Sequence, residues 1–315
     1  MSSHEVLVVG GGGFLGRHVV QDLIAKHARV VVLGRRPLDS QQPFQEGVHY
    51  FQGDVNDPES LSLALKKASS VVYLAQTNYP GGGAASVEQE FEENVFRLTR
   101  LYKFLYKQDR LEKFVYVSSG GTVYGEPKRR IPISETSFEM PISTYGLTKL
   151  VAEHYLRMLL SDSHIQCFVL RVSNAYGEGQ NLSRPQGAIG HFLKAAATNH
   201  AVHLYGGGAA IRDYVYAGDV ADSISRCLFA LGKNKGVLTY NVGSGIGHSL
   251  QAILHEVQLT TGVSLKVVNK PPRAFDCSYS VLNIQKISEQ LGWVPKTTLK
   301  EGLEKQWKWT KDLLG

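Results

Sequence analysis

The stretch from Val6 to Val20, VLVVGGGGFLGRHVV, constrains the fold more than any other part of the chain. Apolar residues run into a glycine-rich turn, and a helix-periodic apolar pattern follows. Gly10, Gly13 and Gly16 have G-x-x-G-x-x-G spacing. In such a unit the first glycine permits a tight turn, the second lets the backbone approach a pyrophosphate, and the third lets the helix pack closely on the sheet. Because a helix N-terminus also offers unpaired N–H groups to an anion, the pattern predicts a dinucleotide-binding turn rather than a turn without a ligand.

Strand and helix patterns alternate through the first half of the chain. The predicted strands are 29–33, 48–51, 71–75, 113–118 and 165–172, and the predicted helices are 16–27, 58–68, 87–108 and 144–161. This alternation predicts an α/β fold with a Rossmann-like, doubly wound parallel sheet. From residue 174 the chain is richer in loops, with predicted helices at 187–198, 219–231 and 249–261 and strands at 202–205 and 237–241. We therefore expect a dinucleotide-binding domain over 1–173 and a smaller C-terminal α/β lobe over 174–315, from which segments can cross back into the sheet.

Composition excludes several function classes. The 315 residues carry a formal net charge of +6, which suits anionic small molecules, and the longest basic run, 128–130, is too short for a nucleic-acid arm. The three cysteines lack metal-ligand spacing, so we expect reduced thiols in a cytoplasmic protein without a metal site. Since no apolar run approaches ~20 residues, no membrane insertion is expected.

Arginine replaces the expected acid at the end of the second strand. NAD-binding proteins usually place Asp or Glu there for the ribose hydroxyls, whereas this chain has Arg35 and Arg36. A guanidinium pairs well with a phosphate, which favours NADP; alternatively, Arg35 stacks on adenine. Asp54, after the third strand, is a candidate acceptor for the adenine amino group, while Asp57, followed by proline, is predicted to cap a helix.

Tyr145 and Lys149 are four residues apart, so both lie on one face of a helix. A free tyrosine has a pKa of ~10 and is a poor base at neutral pH. A nearby ammonium and a positively charged nicotinamide favour the phenolate, which can then take a proton from a sugar hydroxyl. The pair predicts a hydride-transfer site, with Lys149 also holding the nicotinamide ribose.

The glycine-rich turn and the Tyr145–Lys149 pair together resemble those of the extended short-chain dehydrogenase/reductase family. The chain is most similar to the UDP-glucose (UDP-N-acetylglucosamine) 4-epimerase group of that family. The motifs that carry the resemblance are GGGGFLG (10–16), GDV (53–55), YVSSGGTVYG (116–125), YGLTK (145–149), RVSNAYG (171–177), RDY (212–214), PPRAFD (271–276) and LGW (291–293). The cofactor-binding residues expected on the matching positions are Gly10, Gly13, Phe14, Leu15, Gly16, Arg35, Asp54, Val55, Leu74, Ala75, Asn94, Tyr145 and Lys149.

The resemblance also implies a nucleotide-sugar site in the C-terminal lobe. Asn174 would contact the diphosphate-sugar, Tyr205 would pack near uracil, Arg212 and Arg273 would clamp the diphosphate, and Asp276 would bind the uridine ribose. Ser280 follows Asp276 by four positions, where the family gates sugar size. A small residue there implies that an N-acetylhexosamine or a uronic acid can enter.

One position departs from the family pattern. Gly120 stands where a Ser or Thr normally hydrogen-bonds the reacting sugar oxygen. Thr122, Ser119 or the backbone at Gly120–Gly121 are the replacements, and Thr122 is favoured. The related dehydratases carry an Asp–Glu pair at positions 121 and 122, and this chain has neither acid.

The resemblance therefore implies a nucleotide-sugar 4-epimerase that works by reversible C4 oxidation with bound NAD. The alternatives are an NADPH-dependent 4-keto-sugar nucleotide reductase and a non-catalytic NAD(P)-sensing protein. Family members are usually homodimers joined by a four-helix bundle, which would here use parts of 87–108 and 146–160. Cell-surface polysaccharide synthesis is the expected setting.

Overall fold

The computed structural model describes residues 4–37, 44–76, 86–183, 187–231, 236–272 and 276–314. Its strands are β1 (Glu5–Val9), β2 (Arg29–Gly34), β3 (Val48–Gln52), β4 (Ser70–Tyr73), β5 (Lys113–Ser119), β6 (Gln166–Val172), β7 (Asn174–Tyr176), β8 (Val202–Tyr205), β9 (Ile211–Tyr216), β10 (Val237–Val242), β11 (Gly247–Ser249), β12 (Val267–Lys270) and β13 (Tyr279–Ser280). Its α-helices are α1 (Phe14–Ala25), α2 (Pro58–Leu65), α3 (Val87–Phe91), α4 (Arg97–Leu105), α5 (Thr144–Leu160), α6 (Ala188–Thr198), α7 (Ala217–Phe229), α8 (Leu250–Thr261), α9 (Gln285–Leu291) and α10 (Leu299–Leu314). A π-helical turn, Glu92–Phe96, joins α3 to α4, and a 3-10 turn, Gly206–Gly208, follows β8.

A seven-stranded sheet organises the molecule, with the strand order β10-β6-β5-β4-β1-β2-β3. Its strand pairs are parallel, which confirms the predicted doubly wound architecture. The order reverses between β1 and β4. In sheets of this kind, ligands bind beyond the carboxyl ends of the strands at that point.

Helices cover both faces of this sheet, which explains the nearly continuous apolar strands. Leu7 and Val9 of β1 join a core with side chains of α2, α4 and α5. Val6 and Val8 point the other way, into a core with side chains of α1 and α7. Period-two alternation along β1 therefore supplies both cores from one strand.

The C-terminal half forms a second lobe around β9. One small sheet has the order β11-β9-β13, with β7 also paired to β9, and a second sheet pairs β12 with β8. Side chains of α6, α8 and α10 build a third core. However, β10 lies in the main sheet beside β6, so the second half of the chain contributes a strand to the dinucleotide-binding half.

The predicted helix over 87–108 differs most from the structure, because the π-turn divides it. Helix starts agree better. Asp57 accepts hydrogen bonds from the backbone of Glu59 and Ser60 at the start of α2, which confirms the predicted cap. Within the described ranges, no helix is both long and apolar enough to cross a membrane.

Candidate active site

The glycine turn after β1 is held by close backbone approaches. Gly10 has φ +86°, and a Cβ there would lie 2.9 Å from the Ala75 backbone nitrogen, just after β4. A Cβ on Gly16 would lie 2.3 Å from the Gly10 oxygen. A Cβ on Gly11 would lie 2.8 Å from Cγ1 of Val32 on β2. The expected close approach to the sheet is therefore made at Gly11, while Gly16 packs against the turn itself.

The N-terminus of α1 is suited to an anion. Its N-cap is Gly13, so no side chain occupies the cap position, and the first turn carries no acidic residue. A Cβ on Gly13 would meet only the Gly10 oxygen, at 3.3 Å, so the space in front of the turn is left open by the described side chains. The predicted neighbours Phe14 and Leu15 open this helix. The arrangement fits a dinucleotide pyrophosphate.

Charged side chains cluster beyond the ends of β2 and β3. Arg35 Nε lies 3.9 Å from Asp54 Oδ2, and its NH2 lies 3.8 Å from Glu93 Oε2. Arg97 approaches the same two carboxylates, at 3.5 Å and 3.1 Å. Two guanidinium groups thus face two carboxylates, so the charge of Arg35, one of the two arginines that the sequence offers to a phosphate, is balanced within the protein. Val55, beside Asp54, is buried.

Asn94 lies in the π-turn and points inward. It is 3% exposed, and its Nδ2 donates to Thr148 Oγ1 at 3.1 Å. Its Oδ1 has no hydrogen-bond partner among the described residues. An orphaned buried acceptor beside α5 is what a bound polar group would satisfy. Leu74 and Ala75, the other predicted cofactor neighbours, follow β4 at the same sheet edge.

Tyr145 and Lys149 are brought together on α5, as predicted. Ser143 caps this helix by accepting from the Gly146 nitrogen at 3.1 Å. Lys149 is buried, donates to the Val117 oxygen at 3.0 Å, and its Nζ lies 5.9 Å from the centre of the Tyr145 ring. Burial lowers the pKa of Lys149 to about 7, opposed by the charge of Glu153.

Two side chains, one beyond the end of β4 and one at the end of β5, hydrogen-bond the Tyr145 hydroxyl. Gln76 Nε2 donates to it at 2.5 Å, and the Ser119 side chain hydrogen-bonds it as well. Burial raises the pKa of Tyr145, and these two hydrogen bonds oppose that rise. Gln76, the third residue after β4, was not among the predicted site residues, because it meets α5 only in the folded chain.

The loop around Gly120 explains the missing hydroxyl. The Gly120 nitrogen donates to the Val172 oxygen at 2.8 Å, and a Cβ would lie 2.8 Å from the Arg171 oxygen. No side chain fits there without movement. Thr122 Oγ1 donates to the Ser119 oxygen at 3.5 Å, within its own loop. The structure therefore favours Ser119 over Thr122 as the hydroxyl next to Tyr145.

Three of the predicted substrate residues lie on β9 or on strands paired with it, and Asp276 lies three residues before β13. Asn174 starts β7, donates to the Asp213 oxygen at 2.9 Å, and lies 3.9 Å from the position of a Cβ on Gly121. Ser280 on β13 is paired with Arg212 on β9 and is buried. Arg212 and Asp276 both act electrostatically on Cys277, whose pKa is raised mainly by burial.

The remaining substrate residues lie at the edge of this group. Tyr205 ends β8 opposite Lys270 and is partly buried. Arg273 lies outside the described residues. Among the described side chains, no group of His, Cys, Asp and Glu is arranged to hold a metal ion.

The family model for NAD dependent epimerases/dehydratases matches residues 6–243, and the chain belongs to this family. It is 30% identical over 308 residues to a putative UDP-glucose 4-epimerase of Methanocaldococcus jannaschii, in a match that covers 98% of each chain. It is 28% identical to a dTDP-4-dehydro-6-deoxyglucose reductase of Escherichia coli, over 95% of each chain. Among solved structures, the UDP-glucose 4-epimerase of Thermus thermophilus in complex with NAD superimposes with a TM-score of 0.88 and 31% identity, covering 97% of this chain and 98% of that one.

Proposed function

We propose that this protein is an NAD-dependent UDP-sugar 4-epimerase. The observation that carries the proposal is the buried Tyr145–Lys149 pair, which lies at the same sheet edge as the dinucleotide turn. The relatives and the neighbouring structure support this reaction, since the match extends over nearly the whole chain.

The described residues fit NAD. The turn from Gly10 to Gly16 and the N-terminus of α1 would hold the pyrophosphate, and the orphaned Oδ1 of Asn94 would accept from a polar group of the nucleotide. When bound, NAD accepts a hydride from the sugar C4 and returns it. Lys149 would hold the nicotinamide ribose, since its Nζ already faces Tyr145 from the same side of the helix.

The protein's part of the reaction is proton transfer. Tyr145 takes the proton of the 4-hydroxyl and later returns it to the same oxygen, while the hydride returns to the opposite face of C4. Burial raises the pKa of Tyr145, and the hydrogen bonds with Ser119 and Gln76 oppose that rise. A Lys149 ammonium nearby would stabilise the phenolate further. Between the two transfers the 4-keto sugar rotates within the pocket about the diphosphate linkage.

Charge balance at the adenosine end supports NAD over NADP. A 2′-phosphate needs an uncompensated cation, whereas Arg35 is already flanked by Asp54 and Glu93. The cluster of Arg35, Arg97, Asp54 and Glu93 is neutral overall, so it offers a phosphate dianion little net attraction.

The pocket for the UDP-sugar is assigned to the group around β9. Arg212 and Asp276 would bind the diphosphate and the uridine ribose, with Asn174 at the sugar and Tyr205 at uracil, and Arg273 is expected to assist Arg212. Ser280 is buried beside Arg212, and its small side chain favours the acceptance of N-acetylated or carboxylated hexoses.

We also propose a homodimer, formed through α4 and α5. Large apolar side chains remain exposed on and next to these helices: Phe96 (49%), Tyr106 (61%), Leu147 (43%) and Met158 (64%). Covering them in a four-helix bundle would remove this apolar surface from water. The cytoplasm suits the three cysteines, which are buried free thiols.

The test uses purified protein and UDP-glucose with no added cofactor, followed by NMR of the sugar. The expected product is the C4 epimer, and Tyr145→Phe should lower kcat by a factor of about 10²–10⁴. Tyr240→Phe is the matched control, because the Tyr240 hydroxyl donates to Gln290 at 2.8 Å, away from the site. Conversion only of a 4-keto sugar, and only with added NADPH, would instead establish the reductase activity of the Escherichia coli relative.

A further inference from the structure

Helix α5 carries a third buried polar residue on the face that holds the proposed catalytic pair. Glu153 follows Lys149 by four residues, as Lys149 follows Tyr145, so the three side chains share one face of the helix. Glu153 is 0% exposed. The proton transfer proposed above gives it no task.

The carboxylate of Glu153 is surrounded by donors. Arg171 on β6 donates from Nε at 3.1 Å and from NH2 at 2.6 Å, and Arg157 NH2 donates at 3.1 Å. The Ser118 hydroxyl donates to Glu153 Oε1, whereas NH2 of both arginines donates to Oε2. Guanidinium donors of this kind hold a carboxyl group in a fixed orientation, and Arg171 is itself fully buried and also paired with Glu139.

Ser118 connects this network to the catalytic pair. Its neighbour Val117 provides the backbone oxygen that accepts from Lys149 Nζ at 3.0 Å. Its other neighbour, Ser119, hydrogen-bonds Tyr145. The bond between Ser118 and Glu153 therefore fixes the end of β5 at the two points where this strand contacts the pair.

Glu153 also acts on Lys149 electrostatically. The groups that face Lys149 are the Tyr145 ring on its own helix and the Tyr116 ring of β5, whose centre lies 5.0 Å from Nζ. Glu153 is the charge that raises the pKa of Lys149 against the effect of burial. From α3, Glu90 acts on Tyr145 and opposes the phenolate.

Resting on the proposed function, we propose that Glu153 is a positioning residue for Tyr145 and Lys149. Its carboxylate, anchored by Arg171, keeps Lys149 in the ammonium form and fixes the strand end that contacts both residues. The ion pair between Glu153 and Arg171 thus maintains the positive charge on Lys149 that Tyr145 requires to act as a base.

The experiment is the pH dependence of kcat with saturating UDP-glucose for Glu153→Gln. The rate should fall at high pH as Lys149 loses its proton, which gives the pH profile an alkaline limb. Removing the negative charge of Glu153 lowers the pKa of Lys149, so this limb should move to lower pH by about one unit. Glu153→Asp keeps a carboxylate and should restore most of the limb. An unshifted limb in a folded Glu153→Gln enzyme, or an equal shift in Glu153→Asp, would overturn the proposal.

A second variant keeps the test decisive if Glu153→Gln fails to fold. Arg157 is 33% exposed and donates to Glu153, and Arg157→Gln removes a cation from the same network. The alkaline limb should then move in the opposite direction, to higher pH; a downward shift or no shift would count against Glu153. If the unaltered enzyme does not interconvert UDP-sugars, the proposed function fails instead, and the two failures are therefore distinguished.

Discussion

Two neighbouring glycines, Gly120 and Gly121, should respond very differently to alanine. A Cβ on Gly120 would lie 2.6 Å from Leu282 Cδ1 and 2.8 Å from the Arg171 oxygen. Leu282 is fully buried, and the Arg171 oxygen belongs to the β6 backbone. A Cβ on Gly121 would meet nothing nearer than Asn174, at 3.9 Å.

The magnitude follows from these contacts. Overpacking of this kind costs about 1–3 kcal/mol, and the loss of chain entropy in the unfolded state returns about 0.4–1 kcal/mol. The difference of the mid-range values is about 1.3 kcal/mol, so we expect Gly120→Ala to lower the free energy of unfolding by roughly that amount. Gly121→Ala should be neutral or slightly stabilising, because only the unfolded-state effect remains.

Urea denaturation followed by circular dichroism measures both variants, and the epimerisation assay measures Gly120→Ser. Although serine restores the hydroxyl that the family usually has here, its Cβ meets the same atoms, so kcat should fall. Equal stability of the two alanine variants would refute the crowding argument. A rise in kcat for Gly120→Ser would show that the usual hydroxyl position is open.

Three further predictions concern the site. Ser119→Ala should lower kcat by roughly 10–100-fold, and more than Thr122→Ala, in steady-state assays; the reverse order would favour Thr122. Ser280→Tyr should abolish turnover of UDP-N-acetylglucosamine and spare UDP-glucose, and equal loss of both would reject the size gate. Asp54→Asn leaves Arg35 less neutralised, so the NADP-to-NAD affinity ratio from calorimetry should rise by up to about fivefold; an unchanged ratio would contradict the charge-balance argument.

The strands of the seven-stranded sheet and the proposed catalytic pair were predictable from sequence because both depend on short spacings, whereas β7, β9, β11, β12 and β13 were not predicted. The run RVVVL is apolar throughout since β2 is covered on both faces, and the structure extends it by one residue to Gly34. Tyr145 and Lys149 lie on one face wherever their helix packs. Such local patterns need no knowledge of the rest of the fold.

The break in the predicted helix over 87–108 could not be found in the same way. A π-turn inserts a residue without ending the helical hydrogen bonding, and the apolar periodicity resumes in α4. The turn places Asn94, a predicted cofactor residue, against α5. Likewise, the pattern at 237–241 predicts a strand, but only the fold shows that it pairs with β6.

The proposed role of Glu153 could not be predicted from the sequence, for a different reason. Its position, four residues after Lys149, is visible in the sequence, and that spacing was the available signal. An isolated acid on a helix is usually solvated, however, and only burial together with Arg171 distinguishes it. Sequence spacing can therefore nominate such a residue, but its partners decide whether it acts on the site.

Arg35 shows the same limit from the opposite direction. Next to Arg36 and without an acid beside it, it has the local sequence of a phosphate-binding residue. Its counter-charges, Asp54 and Glu93, come from the loop after β3 and from the π-turn, so no window around residue 35 contains both. The charge-balance argument for the cofactor therefore depends on the folded cluster rather than on the identity of the residue after β2. The sequence around Arg35 and Arg36 left NADP open beside the predicted NAD, whereas the charge balance around Arg35 in the folded chain favours the uncharged ribose of NAD.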